Sequence, residues 1–354
     1  MQGGVVAHAD YYQRTLEWAS RLRVCKKCCP APTVAAVTHA FKADLAEYFR
    51  LCALARSSKA PSELSREAHG LLFRCRTLLE KALHESLVCS VRDDDDATTA
   101  LFAKGFFGKS KKQGVSVRMP LTSCIPTVLC GAACYAHDVL DATPQSVVRG
   151  AINGWLAHLW EHGESRTREK IFRVLRRPTE LAVKAAFDEV RRLPRGFTRR
   201  PYIRFSHVGE VVAYAGFANG VAALVRQLSR RRVDCVVYTR HRYAGSLDPA
   251  LWIINFTLDP SSEERRAWAP SNARLVYSAF SGSISDNVAV NFLEHHRHSH
   301  VAVSAGSGIV CPATAPDAQD RTCDGCRCKT CFEPVTDLHA IAPIPAAAVT
   351  AESR

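Results

Sequence analysis

Residues 202–239, YIRFSHVGEVVAYAGFANGVAALVRQLSRRRVDCVVYT, decide the fold that this chain is predicted to adopt. The stretch begins and ends with short runs rich in β-branched and aromatic residues, YIRFS and VDCVVYT, which are typical of strands. Between them, residues 211–229 are rich in alanine and valine and predict a helix. A strand, a helix and a strand in this order form a parallel pair with a crossover helix. The stretch therefore predicts a parallel α/β fold.

Further strand-like runs extend this pattern in both directions along the chain. They are VSVRM (115–119), LWIINF (251–256), RLVYSA (274–279) and HVAVSA (300–305), and further helices are predicted at 144–162, 167–193 and 286–296. About six strands with helices between several of them fit a partial parallel β/α barrel, and an open doubly wound sheet is the alternative. We expect this α/β domain to occupy residues 105–310.

The chain on either side of this domain has a different amino-acid composition. Residues 1–100 are dominated by alanine, leucine, glutamate and arginine, with apolar residues three or four positions apart, and predict an all-helical N-terminal extension. Residues 311–333 are rich in cysteine and predict a metal-binding knuckle, and residues 334–354 predict a flexible tail.

The composition is that of a soluble globular protein. Its 354 residues are 47% hydrophobic and 23% charged, and no apolar run approaches the roughly 20 residues that a membrane-spanning helix needs. The N-terminus lacks the basic-then-apolar pattern of a signal peptide. We expect the 15 cysteines to be reduced thiols in the cytoplasm, and disulfides are the weaker alternative.

The net charge of +13 is concentrated in two stretches. Residues 166–200 contain 12 lysines and arginines against four acids, and residues 230–232 are consecutive arginines. Such stretches contact phosphates in nucleic-acid-binding proteins, and solvated helix faces are the alternative explanation. The basic stretches are therefore candidates for contact with an anionic partner such as nucleic acid, and we expect no membrane partner.

Cys124, Cys130 and Cys134 follow the first predicted strand with the spacing C-x5-C-x3-C. Thiolates packed this closely repel one another unless a cation neutralises them, so metal is the first hypothesis. Three ligands are one short of a closed zinc site and are the number that leaves one iron of a four-iron cluster open. Small buried apolar cysteines are the alternative.

A second cysteine cluster lies near the C-terminus, where Cys323 and Cys326 have the spacing that lets two thiolates bind one ion. Cys331 and the upstream Cys311 complete four ligands, so we predict zinc or an iron–sulfur cluster here. Weaker candidates for metal ligands are Cys25, Cys28, Cys29, His295, His296, His298 and His300.

Polar residues occur at the C-terminal ends of the predicted strands, where ligands collect in parallel α/β folds. They include His207, Gly209 and Glu210 after the second strand, Arg240 after the third, Asn255 in the fourth and Ser278 in the fifth. Polar groups at each strand end are what a site at a barrel mouth requires, and ordinary polar loops are the alternative.

These motifs, in this order, resemble the gene-product-88 family of phage and plasmid proteins. The resemblance rests on FGKSKKQGVSVRMPLTSCIPTVLCGAACYAH (107–137), YIRFSHVGE (202–210), VVYTRH (236–241) and the closing cysteine segment, and it covers about residues 105–333. It implies a protein of a mobile genetic element with a terminal cysteine knuckle.

The arrangement is also similar, more distantly, to radical S-adenosylmethionine enzymes, in which three cysteines after the first strand hold a four-iron cluster. That similarity implies Cys124, Cys130 and Cys134 as cluster ligands, with Gly209 and Glu210 contacting S-adenosylmethionine. The spacing here differs from the C-x3-C-x2-C of those enzymes, and a single glycine precedes the glutamate.

Three functions are open on these grounds. The first is a radical-type iron–sulfur enzyme in which Glu210, Arg240 and His207 act on substrate, while Gly209, Glu210, Asn255 and Ser278 contact the cofactor. The second is a non-catalytic, metal-stabilised protein that binds nucleic acid through the basic stretches. The third is a hydrolytic nuclease that uses His207, Glu210 and Asp286 with a divalent cation.

Overall fold

The structure is a computed structural model that describes four continuous stretches, residues 105–110, 114–132, 144–193 and 199–279. It also describes Thr77, Glu80, Lys81, His84, Ala103, Cys134, Ala136, Val288 and residues 290–293.

The secondary structure alternates between strands and helices. The strands are β1 (Phe107–Ser110), β2 (Gly114–Arg118), β3 (Tyr202–Val208), β4 (Asp234–Thr239), β5 (Trp252–Leu258), β6 (Arg274–Ala279) and β7 (Val290–Leu293). The α-helices are α1 (Val128–Ala132), α2 (Pro144–His162), α3 (Ser165–Arg191) and α4 (Ala215–Leu228). Short 3-10 helices span Leu121–Ser123, Val211–Tyr214, Arg242–Ser246 and Glu263–Trp268.

The strands form one sheet in the order in which they occur along the chain, from β1 to β7. β1 and β2 are antiparallel, with Phe107 opposite Val117. The pairs from β3 to β7 are all parallel. The predicted α/β fold is therefore confirmed as a mostly parallel sheet with helices. Among the described strands, the order has no reversal of the kind that defines a doubly wound sheet.

Five of the strand-like runs coincide with β2 to β6, and the predicted helices at 144–162, 167–193 and 211–229 coincide with α2, α3 and the segment that contains α4. The helix predicted over 286–296 is wrong, because residues 290–293 form strand β7. Four residues suffice there because they pair in parallel register with β6. The predicted strand at 300–305 lies outside the described residues.

The chain divides into two compact units, and each is described by itself. Of the described residues, the first unit contains those before Phe107, together with Arg118–Leu175 and Val208–Glu210. The second contains Phe107–Val117, Arg176–His207 and the described residues from Val211 onward. The regions predicted at 1–100, 311–333 and 334–354 fall largely or wholly outside the described residues, so those boundaries stay predictions.

In the second unit, apolar side chains are buried on both faces of the sheet. Cys235 reaches α4, where its Sγ lies 3.9 Å from the carbonyl oxygen of Ala222, so the next residue, Val236, faces the opposite side. Tyr202, Val236 and Ile253 come from three neighbouring strands and pack together. On α4, the buried side chains are Phe217, Ala218, Val221, Ala222 and Val225. Their spacing of three and four residues places them on one helix face, which is the pattern expected where a helix covers a sheet.

The segment Val211–Leu228 corrects one expectation from the sequence. Its 18 residues have a mean hydropathy of 1.3, so by length and composition it could cross a membrane, although no apolar run of that length was expected. Val211, Val212 and the inner face of α4 are buried in the second unit. The core helix of an α/β sheet has the same apolar composition.

In the first unit, α2 lies against the segment that follows β2. Asn153 is fully buried, and its Nδ2 donates to the carbonyl oxygens of Phe106 at 3.1 Å and of Arg118 at 2.7 Å. A methyl group at Gly154 would lie 2.6 Å from Pro120 Cγ, so only glycine allows this close approach. The packing fixes the start of the loop that carries the cysteines.

Candidate functional site

The end of β3 is hydrogen-bonded to the segment that follows β2. The backbone N–H of Met119 donates to the carbonyl oxygen of Val208 at 2.7 Å. Two residues beyond the end of β3, the N–H of Glu210 donates to Ser123 Oγ at 2.7 Å, and that hydroxyl donates to the carbonyl oxygen of Pro120 at 2.6 Å. These bonds bring Glu210 to the loop that begins the cysteine cluster.

Gly209 is required by this junction. Its φ of +70° lies in the left-handed region that side chains avoid. A Cβ at this position would also come within 2.5 Å of the carbonyl oxygens of Met119 and Pro120. The glycine that precedes Glu210 therefore permits the close approach of two backbones.

Two cysteines of the first cluster belong to one apolar group. Leu121, Cys134, Ala136 and Val208 are buried together, and Cys124 packs against them. The third, Cys130, is half-buried, and its backbone N–H donates to Thr127 Oγ1 at 3.0 Å. Thr127 directly precedes helix α1, so this bond caps the N-terminus of that helix and fixes the backbone at Cys130.

The Cys124 thiol is surrounded by groups that carry or acquire negative charge. Burial is the largest cause that raises the pKa of Cys124 well above its ordinary value, followed by Glu210, Cys130 and Cys134 and then Glu80. Each of these groups disfavours the thiolate, because each places negative charge near it. Cys124 therefore stays protonated unless a cation compensates for this charge.

Glu80 is the member of this neighbourhood that sequence reasoning missed. It is buried, with 1% of its surface exposed, and its Oε2 accepts a 3.3 Å hydrogen bond from the N–H of Thr122. It precedes the cysteine loop by some forty residues in a predicted helical region, and no motif marks it. Only its approach in space identifies it.

The three cysteines are of the residue type that binds metal through thiolates, but their side chains are not arranged as a metal site. Across the part of the chain that the structure describes, no group of three or more His, Cys, Asp or Glu side chains is arranged to hold a metal ion. Among the described cysteines, Cys124, Cys130, Cys134 and Cys235, none forms a disulfide. A metal at this loop would therefore require the thiols to turn toward one another.

Several predicted ligands lie outside the described residues. They are Cys311, Cys323, Cys326 and Cys331 of the C-terminal cluster, the trio Cys25, Cys28 and Cys29, the histidines from His295 to His300, and Asp286.

In the second unit, Arg240 joins the ends of three strands. Its Nη1 donates to Asp259 Oδ2 and its Nη2 donates to Ser278 Oγ, both at 3.3 Å. Asp259 is fully buried, and its Oδ1 accepts bonds from the N–H and the hydroxyl of Ser261 at 2.9 and 2.7 Å. Two of the predicted site residues, Arg240 and Ser278, are thus in direct contact.

Asn255 lies away from that contact along its strand. Its fully buried Oδ1 accepts a 3.3 Å hydrogen bond from Arg274 Nη1, and the two residues are partners in the β5–β6 register. Ser278 is four residues further along β6 than Arg274. The structure therefore does not place Asn255 and Ser278 at the same level of the sheet. His207 is buried near the end of β3.

His241 follows Arg240 and is held as a neutral acceptor. The Nδ1 of its ring accepts a 3.2 Å hydrogen bond from the backbone N–H of Tyr243, and the backbone N–H of His241 donates to Thr239 Oγ1 at 2.9 Å. Burial, and secondarily the charge of Arg242, lowers the pKa of His241 to about 4. It is therefore uncharged at neutral pH and cannot serve there as a proton donor from a charged imidazolium.

Helix α3 carries most of the first basic stretch on its exposed side. The exposed cations include Arg166, Arg168, Arg173, Arg176, Arg177, Lys184 and Arg191. Arg176 and Arg177 pair with Glu180, and Arg191 pairs with Asp188. Since such exposed pairs are weak, they leave most of the positive charge of this face available to an anionic partner.

The comparisons with known proteins identify no relative. No family model matches the chain, and no curated protein and no solved structure matches it significantly. The resemblance to the gene-product-88 family therefore stays a prediction.

Proposed function

We propose that the chain is a thiolate metalloprotein that binds iron–sulfur or zinc at the loop after β2, with Glu210 beside the metal. The observation that carries the proposal is the neighbourhood of Cys124, in which Glu210, Cys130 and Cys134 all act on the Cys124 thiol. In this neighbourhood each thiolate raises the free energy that is needed to deprotonate the next thiol. A bound cation reverses the sign of that interaction, because a metal-bound thiol is deprotonated outright.

The number of cysteines favours a site with an open position. Three thiolates leave one coordination position of a tetrahedral metal, or one iron of a four-iron cluster, for a small molecule or a carboxylate. Glu210, which follows β3, is the acidic candidate for this position, since it affects the Cys124 thiol more than Glu80 does. The chain's own contribution is positional, since Gly209 allows the close approach and Ser123 holds the Glu210 backbone.

The order and direction of the strands support the proposal of a β/α barrel. From β3 to β7 the strands follow one another in sequence order and each is parallel to the one before it, which is the arrangement from which β/α barrels are built. The cysteine loop follows β2 and Glu210 follows β3, as in an enzyme whose ligands collect beyond strand ends. On the resemblance to radical-type enzymes, the iron–sulfur form would carry the chemistry, with S-adenosylmethionine as its cofactor. The proposal places this activity in the cytoplasm of a host for a mobile element.

A second candidate function is nucleic-acid binding through α3. It is favoured by the exposed basic face, where Arg166, Arg173 and Lys184 face solvent. Binding to phosphates should weaken steeply as salt concentration rises, because counterions are released. A binding constant that does not change between low and high salt would contradict this candidate.

Anaerobic purification followed by metal and sulfide analysis tests the proposal. The experiment starts from a Cys323→Ser/Cys326→Ser chain, so that the C-terminal cluster does not contribute. Cys124→Ser, Cys130→Ser and Cys134→Ser in this background should each lower the bound iron or zinc. Cys235→Ser is the matched control, because Cys235 is also a free buried cysteine but lies in β4. Equal metal content in all four variants would refute a site at this loop.

A further inference from the structure

A cavity of about 570 Å³ lies in the second unit, between the end of α4 and the start of β5. Its walls include the side chains of Arg226, Gln227, Arg230 and Arg231, together with Ala250 and Leu251. Its volume is within the roughly 300–1,000 Å³ that is usual for small-molecule sites. The walls are basic on one side and apolar on the other.

Arg230 and Arg231 have an unusual backbone. Their φ angles are 50° and 60°, in the left-handed region that non-glycine residues rarely adopt. The N–H groups of Ser229 and Arg231 close the helix by donating to the carbonyl oxygens of Val225 and Arg226. Glycine or asparagine is the usual residue at such a helix end. Two consecutive arginines there retain a local strain that glycine would remove, which is typical of functional positions.

The side chains of these two arginines are exposed and carry uncompensated charge. In the described part of the chain, neither guanidinium makes a hydrogen bond or an ion pair. Arg226 differs, because its Nη1 donates to Asp234 Oδ1 at 2.7 Å. Asp234 also pairs with Arg200, at 3.3 Å. The Asp234 carboxylate therefore already pairs with two arginines, and the cavity retains a net positive charge from Arg230 and Arg231.

A helix end by itself does not explain this charge. Cations near the C-terminus of a helix interact favourably with its dipole, and they do so without adopting left-handed backbone angles. That dipole also opposes an anion, so the backbone of α4 cannot hold one at this end. An anion in the cavity must be bound by the guanidinium groups of Arg230 and Arg231.

We propose that this cavity binds the phosphate group of a ligand of nucleotide size, with Arg230 and Arg231 on the phosphate and Leu251 and Ala250 against the organic part. Guanidinium groups present paired donors that match phosphate oxygens. The apolar wall favours a ligand with a flat or apolar portion over inorganic phosphate alone. The phosphate belongs either to a free nucleotide or to the backbone of a single strand. This site is independent of the metal proposed at the cysteine loop.

Titration of the full chain with defined probes tests the proposal. The probes are a nucleoside monophosphate, the same nucleoside without phosphate, inorganic phosphate, and a short single strand that lacks terminal phosphates. The monophosphate should bind at least about tenfold more tightly than either the nucleoside or inorganic phosphate. Stronger competition by the single strand would identify the polymer as the source of the phosphate. Failure of both the monophosphate and the strand to bind would overturn the proposal.

The decisive variant is Arg230→Gly/Arg231→Gly. It removes both guanidinium groups and suits the left-handed backbone, so the melting temperature should stay equal or rise while binding falls at least about tenfold. Arg230→Lys/Arg231→Lys keeps the charge but loses the paired donors, and should bind with intermediate affinity. Lys109→Gln/Arg242→Gln removes the same charge from exposed positions outside both the cavity and α3, and should bind as the unmodified chain does. Unchanged binding in the glycine variant, or an equal loss in the control, would overturn the proposal.

Discussion

The N–H of Glu210 donates a 2.7 Å hydrogen bond to the hydroxyl of Ser123, across 87 residues of sequence. Both groups are buried, and the same hydroxyl donates to the carbonyl oxygen of Pro120. Ser123 is therefore the side chain through which the end of β3 holds the start of the cysteine loop. A contact of this kind sets the distance between Glu210 and Cys124.

Ser123→Ala should weaken both the fold and the metal site. The Glu210 N–H would be left buried without its acceptor, which should cost about 1–3 kcal/mol of unfolding free energy. Metal affinity should fall as well, because Glu210 and the cysteine loop would no longer be held together. Denaturant titration and metal competition measure the two effects.

Ser206→Ala is the matched control for this prediction. Ser206 is also buried, and its Oγ accepts a 2.9 Å hydrogen bond from the N–H of Tyr238. It should lower stability by a similar amount and leave metal affinity unchanged. If both serine variants reduce metal affinity equally, Ser123 has no positioning role.

Gly209→Ala should be among the most destabilising single substitutions in the described part of the chain. The left-handed backbone costs about 1–2 kcal/mol for a residue with a Cβ, and the new methyl group would also overlap two carbonyl oxygens. We expect a loss above about 2 kcal/mol by chemical denaturation. Gly245→Ala is the control, because nothing lies within 4 Å of its added Cβ. It should change stability by less than about 0.5 kcal/mol, and comparable losses in both variants would contradict the role of Gly209.

The sequence predicts the strands and one side of this junction, but not the contacts that complete it. β4 and β5 are predictable because their apolar runs are buried on both faces, as a parallel sheet requires. Gly209 and Glu210 stand out as a pair after a strand. Ser123 and Glu80 do not, because their importance depends on which distant backbone groups reach them. Arg230 and Arg231 appear in the sequence only as charge, since a left-handed angle leaves no local signal when the residue is not glycine.

Strand β7 shows an element that a local sequence pattern predicts wrongly. Residues 290–293 are too few to be distinguished from a helix by periodicity. The neighbouring strand β6 decides their structure through parallel pairing. Long-range pairing of this kind is outside the reach of a local pattern.

Acid should destabilise the chain through His241. Burial lowers its pKa in the folded state to about 4, below the ordinary value of 6.5, so between these values the unfolded chain binds a proton that the folded chain does not. Stability is therefore retained above about pH 6.5 and is lost as the pH falls toward 4, by up to about 3 kcal/mol from this residue. Denaturant titrations at pH 7 and pH 4.5 measure the difference.

His241→Asn is the comparison for this pH dependence, because asparagine can still accept the hydrogen bond from Tyr243. The variant should lose less stability than the unmodified chain between the two pH values. The variant should still lose the stability that protonation of His84 removes, because burial also lowers the pKa of His84 to about 4. An identical pH dependence in the two proteins would show that His241 does not contribute.

The contact between Arg240 and Asp259 should be costly to break from one side. Their side chains are 12% and 0% exposed, so Arg240→Met should leave a buried carboxylate without its cation and cost about 3–5 kcal/mol. Adding Asp259→Leu should recover part of that loss, since no charge then remains. Arg191→Ala breaks an exposed pair with Asp188 and should cost less than about 1 kcal/mol. A double-mutant cycle without coupling between Arg240 and Asp259 would argue against the buried pair.

Removal of charge next to Cys124 should make its thiol more reactive in metal-free protein. Glu210 disfavours the thiolate, so Glu210→Gln should lower the pKa of Cys124 and raise the fraction of thiolate at a given pH. Alkylation, followed by mass spectrometry of the peptide that contains Cys124, should therefore be faster in the variant, because the thiolate is the nucleophile. Glu263→Gln, at an exposed position in the second unit, is the control and should leave the rate unchanged. Equal rates in Glu210→Gln and the unmodified chain would mean that the carboxylate does not reach the thiol, and the proposed metal centre would lose its acidic neighbour.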